Sequence, residues 1–186
     1  MKRLSVVIAG GLFTAALSVP ALVVSLLTSA VASAASDTGD TSFPLPDSTQ
    51  LEVHVTANCV AADKQCYFTV AANRRSGDEV DGFPGDLWAR QTTTLRSSNR
   101  LNNLETQVVA DNTRQYKEMG RREITTIYFG GGPPEKYQIS GQTQPTDWQT
   151  GQPMLNADYI VCAEIQVVYS GVNITSPTTC AQTTFS

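Results

Sequence analysis

Leu51-Glu52-Val53-His54-Val55-Thr56-Ala57-Asn58 decides how this chain is read. Apolar side chains stand at 51, 53, 55 and 57, with polar ones between them. In a β-strand successive side chains point to opposite faces, so this stretch is a strand with one face buried and one in water. Downstream, similar runs follow at 65–73, 87–96, 104–110, 123–129, 136–141, 158–169 and 174–184. Gly77, Gly82-Phe83-Pro84-Gly85, Gly130-Gly131-Gly132-Pro133-Pro134 and Gly151-Gln152-Pro153 fall between these runs and break both helix and ladder. Eight short strands with that punctuation predict a mainly β domain, an antiparallel β-sandwich of immunoglobulin-like or similar kind. Residues 113–122 surround a single Tyr116–Met119 apolar spacing with charges, and are expected to form a loop or one helical turn.

Of the four cysteines, two flank the loop between the first two strands and two lie within the closing pair of strands. If 158–169 and 173–184 form a hairpin turning on Gly171, the numbers of facing residues sum to 342. Cys162 and Cys180 satisfy that sum, so they face each other at a separation a disulfide can span. Cys59 and Cys66 bracket the loop between the first two strands. The expectation is therefore Cys59 with Cys66 and Cys162 with Cys180, while pairs crossing between the two hairpins stay open. The same parity puts Tyr159, Val161, Ala163, Ile165, Val167 and Tyr169 on one face. Cys162 then lies on the other, with Ile160, Glu164, Gln166 and Val168, so its bridge belongs to the outer, more polar face.

Upstream of the first strand, residues 35–50 are rich in Ser, Thr, Asp, Gly and Pro, which predicts a flexible tether. Before that, Met1-Lys2-Arg3 leads an uncharged, largely apolar run over 4–28 and the triplets Ala30-Val31-Ala32 and Ala32-Ser33-Ala34. This is the pattern of a signal helix cleaved after Ala34, and the run is also long enough to serve as an uncleaved anchor. The expected organisation is thus a signal peptide over 1–34, a flexible segment over 35–50 and a β-sandwich over 51–186. The chain after Ala34 carries 11 basic and 17 acidic residues, a net charge of −6, which argues against nucleic acid as a partner. The doublets Arg74-Arg75 and Arg121-Arg122 read as solvated loop ends.

Motifs for chemistry are sparse. The single histidine, His54, lies mid-strand opposite the apolar face, and there is no G-x-S-x-G elbow to supply a nucleophile. No C-x-x-C accompanies that lone histidine, so no zinc site is expected. The acidic run Asp78, Glu79, Asp81 and Asp86 lacks the D-x-D-x-D-G spacing of a calcium loop. Neither that run nor Asp147 and Glu164 is expected to form a sheltered carboxylate pair. The triple glycine before Pro133-Pro134 cannot start the helix that a phosphate loop needs. No catalytic residue, metal or cofactor is assigned. The aromatic candidates for a binding surface are Trp148, in a polar loop, and Phe129 with Tyr137, flanking the Gly-Pro turn as a lip; Trp88 opens a threonine-rich strand.

The Ala-Val-Thr-rich export signal and the cysteine-paired β domain resemble the small exported β-domain proteins of high-GC Gram-positive, mycobacterial-type bacteria. The closing hairpin, Cys162 to Cys180 around Gly171, is similar to the end of their membrane-anchored accessory proteins of lipid exporters. The export signal, the β domain and the missing catalytic motifs point to an exported, non-catalytic binding or interaction module of the envelope or medium, with an envelope or extracellular ligand or protein as partner and membrane contact only through an uncleaved signal. An anchored accessory subunit of a lipid exporter is the alternative that the resemblance implies. The residues leave open a secreted enzyme using dispersed carboxylates.

Overall fold

A computed structural model of the chain describes residues 35–186. The expected signal helix and its cleavage site at Ala34 lie outside the described residues. Twelve strands account for most of the rest: β1 (Ala35–Pro44), β2 (Gln50–Val60), β3 (Gln65–Ser76), β4 (Glu79–Asp81), β5 (Trp88–Arg96), β6 (Asn102–Val109), β7 (Thr113–Glu118), β8 (Arg121–Phe129), β9 (Gln138–Asp147), β10 (Asp158–Tyr169), β11 (Val172–Thr175) and β12 (Thr179–Thr184). They form two antiparallel sheets packed as a β-sandwich. One runs β1-β2-β3-β9-β6 with β4 on the end of β3; the other runs β11-β10-β5-β8-β7, with β12 pairing β10 beside β11.

The inner faces are those that period-two alternation assigns. Leu51, Val53, Val55 and Ala57 of β2 meet Tyr159, Val161, Ala163, Ile165 and Val167 of β10 in one buried cluster. Burying such side chains contributes roughly 25 cal/mol per Å² of apolar surface removed from water, which is the main force holding the sheets together. Cys59 and Cys66 face each other at the end of β2 and β3, form a disulfide and are completely buried in this core. Cys162 and Cys180 also face each other and are bonded, and their bridge lies on the outer face with Cys180 exposed.

The register of the closing hairpin departs from the sequence reading in an instructive way. At the turn Tyr169 faces Val172, so Ser170 and Gly171 make a two-residue turn one position away from the Gly171-centred hairpin. Between Thr175 and Thr179 the outer strand then takes one extra residue: 176–178 span the distance that Glu164 and Ile165 span on β10. This is a β-bulge, and it restores the facing sum of 342 at the cysteines. Pro177 has no N–H to lose there. Ser176 repairs the ladder, its N–H donating to Ile165 O at 2.9 Å and its Oγ accepting from Ile165 N–H at 3.0 Å.

Two segments correct the sequence reading. Residues 35–44 are not a tether. They are β1, paired residue for residue with β2 from Ala35–Cys59 to Pro44–Gln50. Except for Phe43 at its end, its inward positions are small or polar, because the strand lies against the free edge of β12. Asp37 Oδ2 accepts the Gln182 N–H at 2.7 Å, and a Cβ built on Gly39 would stand 2.3 Å from Cys180 O. Composition cannot reveal a strand whose inner face is a backbone contact. The second is 113–122, where β7 and β8 form a hairpin about Met119-Gly120 and β7 is exposed along almost its whole length. Charged side chains suit such an edge strand, since they discourage pairing with other chains.

Candidate functional site

The titratable groups flagged by their residue type are mostly engaged in holding strands and turns. His54 bridges strands on the outer face, with Nδ1 2.6 Å from Asp40 Oδ1 on β1 and Nε2 2.9 Å from Asn73 Oδ1 on β3. Asn73 Nδ2 donates to Glu52 Oε2 at 2.8 Å, and Arg75 Nε donates to Glu52 Oε1. Burial would raise the Glu52 pKa, but the hydrogen bonds from Arg75 and Asn73 and the neighbouring charges outweigh it and hold the carboxyl below its usual range. Asp86 accepts the Ser170 N–H, Glu164 accepts from Thr178 Oγ1, and Asp147 caps its own turn through Gln149 and Thr150. These carboxylates therefore sit at separate points of the fold. Among the described residues no group of three or more His, Cys, Asp or Glu is placed to hold a metal ion.

The three aromatic candidates do not share a surface. Tyr137 is fully buried, which corrects its place in an exposed lip. It ends the 3-10 turn Pro134–Tyr137 and stacks edge-on against Phe83 at 4.7 Å and Tyr128 at 5.4 Å, its hydroxyl donating to Gly130 O. The turn after the prolines swings the ring into the sandwich end, where apolar area is removed from water. Phe129 is 63% exposed and stands opposite the half-buried Trp88, beside a shallow depression of about 380 Å³ with Arg114, Thr125 and Ile127. Trp148 is 50% exposed, far from Phe129, at the start of the turn that Asp147 caps.

Around Trp148 three segments converge. Its N–H donates to Leu101 O; Gly120 N–H donates to Asn102 O at 2.7 Å; Ser97 N–H donates to Gly120 O. Gly120 has φ +69°, and a Cβ there would lie 2.8 Å from the Arg100 Cα, so the β7–β8 turn presses directly on the 97–102 loop. That loop is clamped from below by Asp158, which accepts from Ser97 Oγ (2.7 Å), Ser98 Oγ (2.6 Å) and Ser98 N–H (2.9 Å). Burial would raise the Asp158 pKa, yet these donors together hold it below the ordinary carboxylate value.

Two adjoining hollows result. Trp148, Met119, Lys117, Glu118 and Asn103 line one of about 310 Å³. The other, about 680 Å³, lies on the outer face of β5, β8 and β10, among Arg96, Arg100, Arg121, Glu118, Met119 and the Cys162–Cys180 bridge. Met119 and Glu118 belong to both and form the ridge between them. Met119 is 57% and Leu101 53% exposed. Sequence reasoning found Trp148 and missed Met119, Leu101 and the arginines. The available signal was Gly120 among charged residues, since its positive φ suits the second central position of a tight turn.

The basic doublets also divide. Arg121 is exposed, whereas Arg122 is buried and donates to Leu104 O at 2.7 Å, because consecutive strand residues face opposite ways. Arg74 likewise points inward, over the Tyr169 ring at 5.8 Å and 3.5 Å from Asp47. Neither doublet is a solvated loop end.

Compared with known proteins, the chain matches no family model, and no curated protein matches it. Among the described residues no helix is long and apolar enough to cross a membrane. The two disulfides fit an extracellular domain.

Proposed function

We propose that the chain is exported and acts as a non-catalytic binding module of the bacterial envelope or medium, with its contact surface at the end of the sandwich where the 97–102 loop, the β7–β8 turn and the turn after Asp147 converge. The carrying observation is the pair of adjoining hollows ridged by Met119, with Trp148, Met119 and Leu101 all at least half exposed. Soluble surfaces scatter their large apolar side chains; such side chains gathered on loops at one end of a scaffold suit recognition. The commitment of His54, Glu52, Asp147 and Asp158 to internal hydrogen bonds supports a binding role over acid–base chemistry. The long apolar N-terminal run and its A-x-A triplets support export.

Two measurements test this reading. Intact mass of the protein recovered from culture medium is expected to correspond to a chain starting at Ala35. Recovery only from membranes with residues 1–34 attached would replace it with the anchored-subunit reading. In the second, purified protein is incubated with isolated envelopes of the producing cells. Retention is expected for the wild type, with at least a tenfold loss for Trp148→Ala combined with Met119→Ala. Equal retention of both, or none of either, removes this surface from the function.

A further inference from the structure

Arg96 and Arg121 stand directly opposite one another on β5 and β8, on the outer face of the sheet. Like charges in that position repel and destabilise a ladder, so a ladder ordinarily avoids them. Arg121 is compensated, its Nη2 2.7 Å from Glu123 Oε2 and its Nη1 3.8 Å from Glu118 Oε2. Arg96 and Arg100 are exposed and have no ion-pair partner among the described residues. The other nearby carboxylates are occupied: Asp158 by Ser97 and Ser98, and Glu164 by Thr178. Two guanidinium groups without an ion-pair partner among the described residues thus line one groove of about 680 Å³ in an acidic protein, together with the Glu118 carboxylate at its edge and the Thr94, Ser97, Ser98 and Thr178 side chains.

The walls of that groove are tied to one another in the closed form. Asp158 clamps the 97–102 loop, the Gly120 backbone docks on Arg100 and Asn102, and the Cys162–Cys180 bridge ties β10 to β12 along the groove. Guanidinium groups offer forked donors that match the paired oxygens of carboxylate, phosphate and sulfate groups, and hydroxyls complete their shell. We propose that this groove binds a small oxyanion-bearing ligand through Arg96 and Arg100, with Arg121 at its edge. The inference rests on the reading of this end of the sandwich as a binding surface, and it names the chemistry of what binds there.

The test is an amide chemical-shift titration of the purified exported protein in low-salt, phosphate-free buffer. The probes are glucuronate, glucose 6-phosphate and inorganic sulfate, with glucose as the neutral control. At least one anion is expected to give saturable shifts concentrated at 96–100, Gly120, Arg121 and Thr178, and the tightest of the three identifies the group recognised. Arg96→Gln with Arg100→Gln is expected to weaken that binding at least tenfold, whereas Arg90→Gln with Arg114→Gln, on the same sheet face outside the groove, leaves it unchanged. Both pairs replace exposed side chains, and unfolding curves verify that each variant is folded. Absence of saturable shifts with all three anions, or equal binding by the Arg96/Arg100 variant, overturns the proposal. Envelope retention that depends on Trp148 and Met119 would survive that result, so the two readings fail separately.

Discussion

Two disulfides of the same cross-strand type occupy opposite environments, and that difference has a measurable consequence at the scale of single residues. Cys59–Cys66 is sealed in the core, while Cys180 reaches solvent beside the arginine groove. Thiol–disulfide exchange requires a thiolate to reach a sulfur, so access governs the order of reduction. Limited reduction followed by alkylation and peptide mapping is expected to label Cys162 and Cys180 while Cys59 and Cys66 stay bonded; labelling in the reverse order would contradict the burial of the first bridge. Removing either bridge should cost about 2–4 kcal/mol through the unfolded chain. Cys59→Ala with Cys66→Ala should cost more than the outer pair, because it also strips packed atoms from the core. Asp158 supplies a second residue-scale expectation. Its folded pKa lies below the ordinary 3.8, so the stability it contributes is fully present above that value and is lost as pH falls through the lower folded value. Asp158→Ala should therefore destabilise by roughly 2–3 kcal/mol at pH 7, where charged hydrogen bonds are lost. The gap between variant and wild type should narrow as the pH drops below about 3.8. Denaturant curves at pH 7 and pH 3 would show it, and a gap that widens in acid would refute the assignment.

At the scale of strands, β1 is where the molecule most exceeds its sequence pattern. β2, β3, β5, β8 and β10 were legible because apolar and polar side chains alternate along them, whereas β9 was read only to Gly141: its continuation over 142–147, expected as a polar loop, buries Thr143 and Pro145 in place of large apolar side chains. β1 gives no such signal. Its inward positions include Asp37, Gly39 and Thr41, and its inner contact is the backbone of β12. β7 stayed hidden for the opposite reason, since an edge strand exposed on both faces has nothing to alternate. The closing hairpin was read correctly at its cysteines although the turn is displaced by one residue, because the 176–178 bulge cancels the displacement. A bulge leaves no mark in hydrophobic period; Pro177 was its only trace. Of the candidate site, Trp148 was visible as an aromatic in polar company, whereas the arginine groove exists only through the register that sets Arg96 against Arg121. The β1 geometry makes a direct prediction. Gly39→Val must push a side chain into the Cys180 carbonyl, so it should cost on the order of 1–3 kcal/mol, the usual range for overpacking. Thr38→Val, at an exposed position next to it, should be nearly neutral. Were residues 35–44 a tether, both substitutions would be silent in a denaturant titration.

Across the whole molecule the sandwich is uneven, and its two sides should differ in how readily they open. Where β2 and β3 face β10, the interior is almost wholly apolar, closed by the buried Cys59–Cys66 bridge. Toward β6, β7 and β8 the interior turns polar. Gln91, Thr93, Asn102, Arg122, Thr126 and Thr143 are all buried there, with hydrogen bonds such as Arg122 to Leu104 O and Thr143 to the Thr106 and Tyr159 hydroxyls. Each buried polar group contributes far less to folding than an apolar one of its size, since its desolvation offsets most of the hydrogen bond it gains. β7 adds almost no buried surface at all. Local opening follows such gradients, with the least buried elements exchanging at the lowest free energy. In native-state hydrogen exchange the amides of β2, β3 and β10 should require global unfolding, while those of β7 and the 97–102 loop exchange through smaller openings. The proposed contact surface lies on this looser side, where β7, β8 and the loop meet. An oxyanion bridging Arg96 on β5 and Arg100 on the loop would bind the closed form alone, so it should slow exchange in the loop and β7 and leave β2 unchanged. Protection that rises equally in all strands on adding the anion would point to a nonspecific salt effect on the acidic chain, and exchange that is uniform without it would remove the gradient itself.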